Sequence, residues 1–177
     1  MKQSMINIMA AVLLLYSATY SQYSKFDSLQ NAESIKPVQL AGPRLGVTLI
    51  FGPMAGKLKE KFNANPYIVQ FGWQEETRFF SVKNGPTGVT EFIFLVGGFE
   101  QGLLLPSLSW VTGIRTARGT EFGFGPNISL SGASLLLAFG VTKQSGSLNF
   151  PFNISIVTSK VGTRISFLFG FNARGVN

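Results

Sequence analysis

The side chains that run most catalysis near neutral pH are missing from this sequence. It contains no histidine and no cysteine. The commonest general base, the commonest metal ligand, thiolate chemistry and an N-terminal lipidated cysteine are therefore excluded. Asp27 is the last aspartate, so glutamates are the acids available downstream. A serine–lysine pair would be the remaining nucleophile, and no spacing supports one. G-P-M-A-G-K-L at 52–58 has the outline of a phosphate loop, but it is one residue short and places Leu58 where a metal-binding hydroxyl belongs. Asn127-Ile-Ser and Asn153-Ile-Ser fit the glycosylation pattern. Both fall mid-strand, where an inward amide bonded within the fold is the simpler role. No enzyme is expected, and no cofactor or metal.

What remains is a set of polar residues at alternating strand positions: Gln70, Gln74, Glu76, Arg78, Glu91, Arg115, Glu121, Asn127, Asn153 and Arg164. Facing a common low-dielectric interior, such groups must pair, because a lone buried charge costs several kcal/mol. Two roles are open to them, a polar conduit for solute or a packed network that holds the wall in shape. The narrow interior of a small barrel favours the network. A second group, Lys57, Lys59 and Lys61 with Glu60 among them, falls in a connection and suits either solvent or contact with lipid phosphates. The chain carries a formal net charge of +7, yet no basic stripe with interleaved aromatics emerges, and nucleic acid is not an expected partner.

The elements that position these residues are strands. From Thr120 to Asn172 four segments follow one another, each with a bulky face and a small one. The bulky faces are Phe122, Phe124, Ile128, Leu130; Leu135, Leu137, Phe139, Val141; Phe150, Phe152, Ile154, Ile156; and Ile165, Phe167, Phe169, Phe171. The other face is mostly Gly, Ser, Asn, Ala and Thr. Side chains alternate across a strand, so this pattern predicts consecutive antiparallel strands. Upstream, the same alternation predicts strands at 44–52, 67–82, 89–97 and 103–115, with Glu75-Glu76 as an alternative turn inside the second. Residues 53–66 form the one long connection. K-N-G-P-T-G at 83–88 is a turn. The sum is about eight strands in up-and-down order, and 17 phenylalanines with 20 glycines suit twisted sheet better than helix.

The faces decide where such a sheet belongs. A soluble barrel packs its bulky residues inward and shows charge to water. Here the small face would make a poor solvated exterior but fits a narrow lumen, while Phe, Leu, Ile and Val suit hydrocarbon. Strands of about ten residues cross a bilayer when tilted, and they must close, since unpaired edges are too costly in lipid. Trp73, Trp110 and Tyr67 suit an aromatic girdle.

In this pattern, over Arg44 to Asn172, the chain resembles the small outer-membrane β-barrel proteins of Gram-negative bacteria. It departs from them in having one long connection and in ending N-A-R-G-V-N after Phe171. The resemblance implies an antiparallel transmembrane barrel, outer-membrane lipid as surroundings, and lipopolysaccharide or a larger membrane assembly as partner. Barrel enzymes of that kind that cleave peptides or move acyl chains rely on histidine, absent here.

Lys2, the apolar run from Met5 to Tyr16 and the small residues around Thr19 and Ser21 read as a cleaved secretory signal. The expected organisation is a signal peptide at 1–21, a polar leader at 22–43 and a barrel at 44–173. The leading functional expectation is a structural, binding or accessory barrel in the outer membrane. The alternatives are a soluble periplasmic barrel holding a hydrophobic small molecule, and a passive small-solute channel.

Overall fold

The computed structural model describes residues 38–174. The expected signal peptide, and the leader as far as residue 37, lie outside them. Eight principal strands follow in chain order: β1 (Val38–Phe51), β2 (Tyr67–Ser81), β3 (Thr87–Gly97), β4 (Leu105–Arg115), β5 (Thr120–Ser129), β6 (Gly132–Ser145), β7 (Leu148–Ser159) and β8 (Gly162–Gly170). Each pairs antiparallel with the next, and β1 pairs with both β2 and β8, so the sheet closes into a barrel. A short β9 (Asn172–Arg174) continues β8 beyond Phe171 and sits between β1 and β7, with Ala41 opposite Ala173 and Asn149 opposite Asn172. Closure matters because an open sheet would leave two rows of unpaired backbone groups.

Glycine at inward positions lets neighbouring strands approach. A Cβ at Gly72 would collide with the Phe94 carbonyl oxygen, and one at Gly125 with that of Trp110.

Leu40 lies opposite Arg174, so the described chain enters and leaves at the same end of the barrel, here the terminal end. Its connections are short turns at 82–86, 116–119 and 146–147. The opposite end, the mouth, carries two-residue turns at 130–131 and 160–161 and the two longest connections. Residues 52–66 contain helix α1 (Pro53–Phe62), and residues 98–104 contain a single 3-10 turn, Phe99–Gln101. No helix among the described residues is long and apolar enough to cross a membrane.

Side chains divide as the alternation predicts. Leu45, Val47, Phe71, Phe92, Phe94, Leu108, Phe122, Phe124, Phe139, Phe152, Phe167 and Phe169 all stand exposed on the outer face. Charges on that face are confined to Glu75 and Lys143, both in the half nearer the termini. Arg44, Gln74, Glu76, Glu91, Arg115 and Glu121 are buried inside. The phenylalanines therefore point away from the centre on every strand that carries them.

Three expectations need correction, and the alternative turn inside β2 is resolved. β1 begins at Val38, not Arg44: Leu40 is buried inside the barrel, and pairing with β2 runs back to Val38–Arg78. The connection at 53–66 contains a helix, made by Pro53 in its first turn and a C-cap at Asn63, whose left-handed φ of 49° closes backbone bonds to the Leu58 and Lys59 carbonyls. The inner face is not uniformly small, since Ile93, Leu95, Val111, Leu136, Val157 and Leu168 form an apolar cluster within the lumen. Trp73 and Trp110 stand along β2 and β4; Trp110 stacks on Phe92 at 5.6 Å and its indole N–H donates to Thr90 Oγ1 at 2.8 Å. That bond satisfies a donor that apolar surroundings would otherwise leave unpaired. Glu75 and Glu76 lie within one continuous strand, so no turn interrupts β2.

Candidate functional site

The lumen is layered along its axis. At the terminal end the inward positions of β2, β3, β4 and β5 bring Glu76, Glu91, Arg115 and Glu121 together. Arg115 donates to both Glu76 oxygens, Nη1 to Oε1 at 2.6 Å and Nη2 to Oε2 at 2.8 Å, and its Nε bonds Glu121. Its Nη2 also lies 4.0 Å from Glu91 Oε1. Arg78 Nε adds a bond to Glu76 Oε1 at 2.9 Å, and Asn172 Nδ2 donates to Oε2 at 3.2 Å. The Glu76 carboxylate thus accepts from two guanidiniums and an amide, and its side chain is wholly shielded from solvent. A buried charge tolerates such a place only when paired and hydrogen-bonded this fully.

Beside this cluster lies Arg44, among the most buried side chains of the barrel. Its Nε donates to Gln74 Oε1 at 2.8 Å, its Nη2 to Asn172 Oδ1 at 2.7 Å, and its Nη1 to the Pro43 carbonyl at 2.9 Å. Arg44 and Asn172 escaped the sequence reading because each was placed at a strand end. The available signal was parity: Arg44 alternates with outward Leu45 and Val47, and Asn172 with outward Phe171.

Toward the mouth, beyond the apolar cluster, the polar groups change character. Thr48 bonds Gln70 and meets Ser166 Oγ at 2.6 Å. Asn127 Nδ2 donates to Ser107 Oγ at 2.8 Å and Ser109 Oγ at 2.9 Å, while its Oδ1 accepts from Arg164 Nη2 at 2.7 Å. The anticipated inward set is therefore two groups rather than one. Gln74, Glu76, Arg78, Glu91, Arg115 and Glu121 belong to the terminal layer, and Gln70, Asn127 and Arg164 to the upper one. Asn153 joins neither, and its buried Oδ1 has no hydrogen-bond partner. Thr48, Ser107, Ser109 and Ser166 were missed, since short hydroxyl side chains in a strand give no charge signal.

No protein-family model matches the chain, and no curated protein matches it. Among solved structures, the barrel is similar to Ail, the attachment invasion locus protein of Yersinia pestis, in complex with the heparin analogue sucrose octasulfate. That comparison gives a TM-score of 0.49 at 8% identity, covering 78% of this chain and 99% of the other. A second Ail structure gives a TM-score of 0.28 at 9% identity, covering 78% and 97%.

Two of the cavities in the upper half reach the lumen. One, of about 40 Å³, lies inside the lumen between Thr48, Ser109, Asn127, Asn153 and Arg164. It has room for water, which needs only about 10–15 Å³. The other, of about 440 Å³, occupies the mouth between α1 and the ends of β4 and β5. Ile50, Ile68, Leu58 and Ala64 pack together beneath α1, with Met54, Ala55, Leu103 and Leu105 against them. The Met54 N–H donates to the Val161 carbonyl at 2.8 Å, fixing the helix to the β7–β8 turn.

α1 also separates the three lysines. Residues two apart on a helix face nearly opposite ways, so Lys57 and Lys61 share a side and Lys59 does not. Lys57 lines the mouth cavity. The anticipated single basic patch is thus divided.

Proposed function

We propose that this chain is an outer-membrane β-barrel protein with a binding or structural role, its lumen closed toward the terminal end by the Glu76–Arg115 cluster. One observation carries the reading: a closed sheet whose outer face bears large apolar side chains on all eight principal strands while the buried charges lie inside. Soluble monomers rarely expose continuous apolar surface beyond a few hundred Å². In water such a belt would drive aggregation, whereas hydrocarbon accepts it and demands the closure seen here. The two longest connections, 52–66 and 98–104, both lie at the end opposite the termini, in keeping with the usual periplasmic and external assignment, so α1 and the mouth face outward. Lys57 and Lys61 on one side of α1 and Lys59 on the other, all exposed, are then suited to lipid or lipopolysaccharide phosphates.

The soluble alternative is disfavoured by the outward phenylalanines, and the channel by the ion cluster across the lumen. Expression of the full chain should give outer-membrane fractionation and heat-modifiable migration on SDS gels, with no discrete conductance in planar bilayers. Recovery in the soluble fraction after osmotic shock contradicts the membrane reading. Discrete conductance contradicts the closed lumen.

A further inference from the structure

The mouth cavity joins three features that a merely structural opening does not need together. Its walls are apolar, formed by Ile50, Leu58, Phe62, Ile68, Leu105 and Leu130. The charged residues that line it, Lys57 and Arg164, are both cationic, and no carboxylate is among the lining. Arg164 also reaches the small inner cavity, so it stands where the mouth narrows into the lumen. Among the described residues its only hydrogen-bond partner is the neutral Asn127 Oδ1, and no carboxylate lies within ion-pair distance. A half-buried guanidinium with one neutral partner keeps donors free to bond an anion. The contrast with Arg115, which meets carboxylates on every side, rules out a shortage of acids in the lumen as the reason.

We propose that the mouth cavity binds a single-chain anionic amphiphile, its carboxylate or phosphate head held by Arg164 and its apolar tail lying under α1. This rests on the outer-membrane reading given above. The volume of about 440 Å³ falls within the roughly 300–1,000 Å³ typical of small-molecule sites, which are largely apolar with a few fixed polar groups. Lys57, on the wall formed by α1, adds long-range attraction for the same sign of charge. The buried amide of Asn127 keeps the Arg164 guanidinium oriented while leaving its other donors for the ligand.

The test uses the full chain reconstituted in phosphatidylcholine nanodiscs, free of detergent, with 11-dansylamino-undecanoic acid as probe. Saturable binding is expected, displaced by laurate or monododecyl phosphate; the more effective of the two identifies the preferred head group. Arg164→Gln should weaken the acid about tenfold or more, the usual scale for losing a hydrogen-bonded charge partner, and leave the methyl ester of the probe unchanged. Leu105→Trp, which fills the cavity and keeps the arginine, should weaken both. Equal affinity for acid and ester, displacement by dodecanol as strong as by laurate, or no effect of Arg164→Gln overturns the proposal. Heat-modifiable migration is read on the same samples. A folded, membrane-inserted barrel that fails to bind therefore refutes the site alone, and a chain that does not insert refutes the reading beneath it.

Discussion

The two ends of the lumen solve the same electrostatic problem in opposite ways. At the terminal end Arg115 is surrounded by Glu76, Glu121 and Glu91, and Glu76 in turn accepts from Arg78 and Asn172. At the mouth end Arg164 leans on a single amide oxygen. A layer in which Glu76, Arg115 and Glu121 bond one another adds rigidity and leaves those charges little to offer a ligand. A cation held by one neutral partner, beside an apolar cavity, contributes little to the wall and much to recognition. Burial, charge and partner count separate scaffold from site within one barrel interior.

That comparison can be broken first at the saturated end. Glu76→Gln should cost the most, about 3–5 kcal/mol, because it removes the carboxylate that Arg115 and Arg78 share in a buried layer. Urea titration of the barrel in phosphatidylcholine vesicles, followed by the emission of its two outward tryptophans, reads this directly. A charge on the outer belt comes next: Phe124→Lys, mid-strand in β5, should cost about 2–4 kcal/mol in the same assay if its face meets hydrocarbon. At the mouth, Asn127→Ala orphans Ser107, Ser109 and Arg164 and should cost about 1–3 kcal/mol. Arg164→Gln should change stability by no more than about 1 kcal/mol, since the lost bond is offset by relief of an uncompensated charge. Equal losses for Glu76→Gln and Arg164→Gln would erase the distinction between the layers.

The smallest effect is expected outside the barrel wall. Glu100, in the 3-10 turn, is pushed up by burial, but the bonds it accepts from the Val69 N–H at 2.9 Å, the Gln101 amide and its own backbone outweigh this and hold it below the usual carboxylate range. A depressed folded pKa adds stability above the ordinary carboxylate range and loses it as the pH falls through the folded value. Exchange of the Val69 amide hydrogen should therefore quicken on acidification, and Glu100→Gln should remove that pH dependence with little change at neutrality.

The strands were legible because alternation is a two-residue signal repeated on every one of them. Phe150, Phe152, Ile154 and Ile156 point outward with no tertiary information required. Their partners were harder. That Glu76 and Arg115 meet across β2 to β4 follows from register and shear, which local sequence does not encode. Arg44 and Asn172 were overlooked because a polar side chain at a supposed strand end looks solvated. Helix α1 was hidden by Gly56 and the flanking prolines; it is held by Leu58 packing on Ile50 and Ile68, a contact between segments. The mouth cavity depends on that helix and was invisible for the same reason.

The claim beneath all of this is that one face of every strand meets lipid tails and the other meets the lumen. The chain has no native cysteine, so single cysteines at positions 134–142 of β6 can be nitroxide-labelled one at a time in vesicles. Collision with oxygen should be high at 135, 137, 139 and 141 and low at 136, 138, 140 and 142, with a polar nickel reagent excluded from the first set. Loss of the two-residue period, or access of the nickel reagent to Leu137 and Phe139, would contradict it.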